Sequence, residues 1–220
     1  MLEPLSLETL KTAAVEYTVY LSATGIDPLY GVTDGKAVGT YVEANFNVFI
    51  AERYAHIAGN AAKGIDFPAL EVDLKVTSIK QPQSSCPFRD ANQKVYGLGY
   101  NLLVMVYEKV DDHEARTARL VFKHVLFIDR ESTADYQITR GIHRLVDEGG
   151  TVEEIDAYLQ DRNLPLDEES RRQLAERILA DPPTLGGITI SNALQWRLQF
   201  GRAIVLAAQQ TEPGIRDLIG

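Results

Sequence analysis

Asp66, Asp73 and Lys75 lie close together in the stretch Gly64 to Ser78, GIDFPALEVDLKVTS. Carboxylate oxygens suit a hard divalent cation such as Mg²⁺, which takes one or two protein carboxylates and keeps room for water and phosphate oxygens. An ammonium beside them can orient or activate a water. Together these groups would hold a metal, a nucleophilic water and a scissile phosphate in one place, as metal-assisted phosphodiester hydrolysis requires. The competing reading is a solvated strand face with an Asp73 to Lys75 pair, which contributes little to stability.

Positioning falls to the element that carries them. Val72, Leu74 and Val76 alternate with Glu71, Asp73, Lys75 and Thr77, and a period of two marks a strand with one buried face. That strand puts Glu71, Asp73 and Lys75 on one side, about 6–7 Å apart for each pair of residues, with Asp66 a short turn upstream. A long helix is expected before it, over Lys36 to Ile57, from Val38, Val42, Phe46, Phe49, Ile50 and Ile57, with Gly59 as its stop. Glu43 in its N-terminal part either points into a cleft or is a solvent-facing acid favoured by the helix dipole.

Lys80 to Phe88, KQPQSSCPF, reads as a polar loop. Its Lys80, Gln83, Ser84 and Ser85 have the hydrogen-bonding capacity that phosphate or base-edge contacts need, or they are simply loop chemistry. Arg89 to Tyr96 reads as a short helix carrying Arg89 and Lys94, two further cations for such contacts. Asn101 to Lys109 and Ala118 to Asp129 are nearly continuous apolar runs, expected as buried strands joined by the turn Asp111 to Glu114.

Ser6 should cap an N-terminal helix ending near Gly25. From Glu131 the chain turns helical, over 132–147, 152–161 and 167–180. A short strand at 188–190 follows, then a helix over 192–208 capped by Ser191. Cys86 and Trp196 have no evident partner and are expected to pack in the core.

Composition narrows the chemistry. With 22 Lys and Arg against 31 Asp and Glu, the chain carries a net charge of −9, which argues at first against nucleic acid. The distribution softens that: 11 basic and 8 acidic residues lie between Lys75 and Arg144, against 4 and 11 between Leu145 and Leu185. The acidity belongs mostly to one helical segment, which leaves room for a positive groove elsewhere. A single cysteine rules out an internal disulfide framework and fits a reducing cytoplasm. The four histidines are too far apart for a zinc site. No apolar run is long enough to span a membrane.

The stretch resembles the PD-(D/E)XK nuclease superfamily, which includes most type II restriction endonucleases. The matching residues are Asp66, then Asp73-Leu74-Lys75 in a strand, with a helix bearing Glu43 upstream. The phrase DFPALEVDLK is most similar to MutH, the mismatch-repair nicking endonuclease, and its restriction-enzyme relatives. The resemblance covers about residues 36–128. It departs at Ile65, where proline is usual, and at Asp73, where glutamate is commoner and Glu71 competes for the role.

The resemblance implies an α/β fold, a central mixed sheet flanked by helices with a helical C-terminal extension. The chain is expected to divide into a catalytic core over 1–130 and a mostly helical region over 131–220, which matches nothing in the family and is expected to pack on the core and contribute to DNA recognition or dimerisation. The resemblance implies that Asp66 and Asp73, with the Leu74 carbonyl, ligate Mg²⁺. Lys75 would position or deprotonate the attacking water, and Glu43 would join a second metal or the water network. The activity implied is site-specific cleavage of double-stranded DNA to 5′-phosphate ends by a cytoplasmic homodimer, with a cognate DNA methyltransferase in the same system. A monomeric nicking enzyme of the MutH kind and a non-catalytic DNA-binding protein are the alternatives.

Overall fold

The structure is a computed structural model that describes residues 2–55, 64–86, 89–191 and 196–220. The expectations at Ile57, Gly59 and Phe88, and the first part of the expected helix, 192–195, lie outside them. Ser6 caps α1 (Leu7–Ser22) as expected, and Thr9 closes the capping box by accepting from the Ser6 backbone N–H. Asp34 caps α2 (Gly35–Ala51), which ends before the expected Ile57. Chain pairing intervenes there. The strand β1 (Glu3–Pro4) runs parallel to β2 (Tyr54–Ala55), so the chain is extended three residues past the helix.

The central sheet has the order β3 (Val72–Ser78), β5 (Asn101–Asp112), β6 (Thr117–Ile128) and β9 (Ile215–Asp217). Its first pair is parallel and the other two are antiparallel, so the sheet is mixed. The parallel crossover between β3 and β5 contains β4 (Gln83–Ser85) and α3 (Gln93–Tyr96). Residues 83–85, expected as loop, pair with β8 (Arg197–Gln199), which also pairs with β7 (Thr189–Ile190) in a second, antiparallel sheet. The expected helix over 192–208 is corrected by the same pairing. Its helical part is α7 (Gly201–Gln209), and Arg197 to Gln199 are extended.

Both faces of the central sheet are covered. On one, Leu74, Val76, Leu103, Met105 and Phe127 pack under α1 and α2. On the other, Leu102, Val104, Val106 and Leu126 pack against the second sheet and α7. Strand β3 is therefore buried on both sides, whereas alternation predicted one solvated face. A third cluster is formed by α4 (Tyr136–Asp147), α5 (Val152–Asp161) and α6 (Glu168–Ala180) around Ile142, Ile155, Leu159 and Ile178. The sequence periodicity marks α5 and α6 closely, capped by Thr151 and Asp167, whereas α4 starts at Tyr136 after its Asp135 cap rather than at Ser132.

Candidate active site

Strand β3 lies at the sheet edge, paired with β5 on one side only. An edge strand has open backbone groups that must find partners. Here Asp66 supplies one: its Oδ2 accepts the Leu74 N–H at 2.8 Å. The approach is set by a tight hairpin in which Phe67 and Val72 exchange backbone hydrogen bonds of 2.9 and 3.2 Å. Because a strand residue's N–H and C=O leave on the same side, the Leu74 carbonyl opens towards that edge as well.

Asp73 and Lys75 project from β3 on the side of the second sheet, since their register partners Leu102 and Val104 belong to that cluster. Asp73 is 2% exposed. Its buried Oδ2 lies 2.7 Å from Lys75 Nζ in an ion pair and has no further partner among the described residues. Burial pushes the Asp73 carboxyl up to about 7, Lys75 opposes this, and a hydrogen bond with Asp66 adds to the rise. Burial also raises Glu43, which feels Asp66 and Lys75 from α2. Burial pulls the Lys75 ammonium down, but Asp73, Asp66 and Glu43 outweigh it and hold it above the ordinary lysine range. Glu43, Asp66, Asp73 and Lys75 thus form one electrostatic unit.

Three carboxylates facing one ammonium are poorly compensated, and burying that excess negative charge is costly. A cation placed there would relieve it. Among the described residues, no three carboxylate, imidazole or thiol groups converge into a complete ion cage. The arrangement fits a cation that takes two carboxylates and fills its remaining positions with a carbonyl and water, as Mg²⁺ does. The sign of the pH effect follows. A carboxyl with a raised folded pKa contributes stability that is whole below its ordinary 3.8 and is lost as pH rises through about 7. In EDTA the protein should therefore melt lower at pH values above 7 than below. Asp73→Asn should flatten that dependence and raise the melting temperature on the alkaline side; an unchanged profile in thermal melts would contradict this.

Glu71 is not part of the unit. It precedes the strand in a left-handed conformation, φ 52°, and its 58%-exposed side chain pairs with Arg130 at 3.0 Å. The alternation that places it beside Asp73 fails at this residue because the chain is still turning out of the hairpin.

The residues expected to touch DNA scatter. Lys80 and Arg89 are exposed, as is Ser85, while Gln83 is half-buried and Ser84 turns its Oγ inward. Lys94 is corrected outright. It is 1% exposed, donates to the Ile190 carbonyl at 3.0 Å and lies 4.7 Å from the Trp196 ring centroid, so its ammonium faces no phosphate. Burial lowers its pKa. Trp196 and Cys86, expected only to pack, do more: Trp196 covers that ammonium, and Cys86 Sγ meets the Tyr100 hydroxyl at 3.6 Å, within electrostatic reach of Asp73. Thr77 continues the Asp73 and Lys75 face, and alternation alone could have singled it out. Its Oγ1 binds the Gln83 backbone at both N and O, at 3.0 and 2.9 Å.

A family model described as "Type II restriction enzyme NspV" matches residues 4–217. The type II restriction enzyme NspV of Nostoc sp. (strain ATCC 29411 / PCC 7524) is 51% identical over 209 residues, covering 94% of each chain. No solved structure matches. Among the described residues no helix is long and apolar enough to cross a membrane.

Proposed function

The chain belongs to the NspV family of type II restriction enzymes, site-specific deoxyribonucleases, and we propose that the Asp66, Asp73 and Lys75 cluster is where it hydrolyses DNA, in the manner of the PD-(D/E)XK superfamily. The observation that carries this reading is the buried Asp73 carboxylate, paired with Lys75 and beside Asp66 at a sheet edge. Asp66, Asp73 and the Leu74 carbonyl would hold Mg²⁺, with Glu43 joining through water. The bound ion supplies Lewis acidity, polarising the phosphate and easing deprotonation of water.

The protein groups do the rest. Lys75, kept charged by its three carboxylate neighbours, orients the attacking water and stabilises negative charge developing on the phosphoryl oxygens. Water adds to phosphorus in line, and the bond to the 3′ oxygen breaks. The products are a 5′-phosphate and a 3′-hydroxyl, which takes up a proton. Glu43 and Asp66 restrain the Lys75 ammonium from the helix and hairpin sides. Residues 1–130 carry this chemistry, and 131–220 complete the central sheet with β9, pair β8 with β4, and serve recognition and assembly.

One such cluster per chain cuts one strand. Cutting both strands of a duplex calls for two copies, and a homodimer on a two-fold symmetric site is the simple arrangement. A cognate methyltransferase would then protect the host's own sites. The test is cleavage of DNA of known sequence: discrete fragments with ligatable 5′-phosphate ends, formed with Mg²⁺ but not with Ca²⁺, are expected. Nicked circles alone would point to a single-strand enzyme of the MutH kind. Glu71→Ala should cut at close to the wild-type rate, because its partner is Arg130; a loss as large as that of Asp73→Ala would return Glu71 to the metal site.

A further inference from the structure

The sheet of β4, β8 and β7 has two unlike faces. Register places Ser84 and Ile190 on either side of Leu198, and Leu198 and Ile190 are buried against the central sheet. The other face carries Gln83, Gln199 and Thr189 in one row and Ser85 with Arg197 in the next. Ser85, Arg197 and Gln199 are exposed. Every side chain in these two rows can hydrogen-bond, none is apolar, and the one ionised group is the Arg197 cation.

This face is tied to the cluster by Thr77, whose Oγ1 holds the Gln83 backbone. Thr77 stands two residues beyond Lys75, a separation of about 7 Å along the strand. Three strands span about 10 Å, which suits a DNA major groove about 12 Å wide. Arginine matches guanine, and glutamine matches adenine, by paired hydrogen bonds to base edges in that groove. We propose that this ribbon reads the target sequence, with Arg197, Gln199 and Gln83 against base edges and the exposed Lys80 of the preceding turn on a phosphate. The inference rests on the DNA-cleaving function proposed above, and gives it a recognition surface linked to the cluster through Thr77.

Once fragment ends have defined the target, Arg197→Ala, Arg197→Lys and Gln199→Ala are compared with wild type. Cleavage in Mg²⁺ and binding in Ca²⁺ are measured on the target duplex and on every single-base variant of it. Each substitution should leave the melting temperature unchanged and reduce discrimination at one base pair by about tenfold or more. Arg197→Lys should fail as well, since it keeps the charge and loses the paired donors. Wild-type discrimination in all three would overturn the proposal. So would uniform weakening on all sequences by Arg197→Ala with full discrimination in Arg197→Lys, the behaviour of a phosphate contact. A wild-type protein that neither cuts nor binds any duplex would instead remove the DNA-cleaving function, and this inference with it.

Discussion

Asp73→Ala and Lys75→Ala are each expected to slow DNA cleavage by about 10³-fold or more, with the fold and the affinity for target DNA in Ca²⁺ retained for Lys75→Ala. The size follows from what each loss removes. Asp73 is one of the two carboxylates proposed to ligate the cation, so its removal takes away half of those charged ligands. In the proposed site Lys75 is the ammonium that meets the reacting phosphate, and losing one preorganised donor to developing charge costs about 10²–10³ in rate. Neither change should unfold the protein. Cleavage within tenfold of wild type by Asp73→Ala, measured in single turnovers, would end the assignment.

A comparably large effect, on stability, is expected at Asp135. This buried carboxylate caps α4 by accepting the Ile138 N–H at 2.9 Å and also accepts the Ile190 N–H at 2.6 Å. It thereby joins the helical cluster to β7, while Lys94 holds the Ile190 carbonyl from the other side. Asp135→Ala leaves two buried N–H groups unpaired and should cost about 3–5 kcal/mol. The urea midpoint should fall accordingly. Asp135→Asn, which keeps one acceptor, should recover part of the loss. A cost below about 1 kcal/mol would mean that solvent reaches these groups and that the link between α4 and β7 is loose.

Residues that act through local rules were legible in the sequence. The cap at Ser6 and the periodicity of α5 and α6 place those helices nearly to the residue. Alternation places Asp73 and Lys75 on one face of β3, and the short hairpin brings Asp66 to the same strand. What escaped depends on distant partners. Strands of three residues, such as β4 and β8, are too short to show a period, so 83–85 looked like loop and 197–199 like helix. Lys94 looked like a surface cation because nothing local shows that Trp196 and Ile190 enclose it. Glu71 looked equivalent to Asp73 because spacing does not reveal a left-handed turn.

The most direct test of the site is anomalous diffraction from crystals of the protein with target DNA and Mn²⁺, which favours the same oxygen ligands as Mg²⁺. The account predicts a peak bonded to carboxylate oxygens of Asp66 and Asp73 at the Leu74 edge of β3, with Lys75 beside the scissile phosphate. A peak held by Glu71 or by residues away from β3 would contradict it.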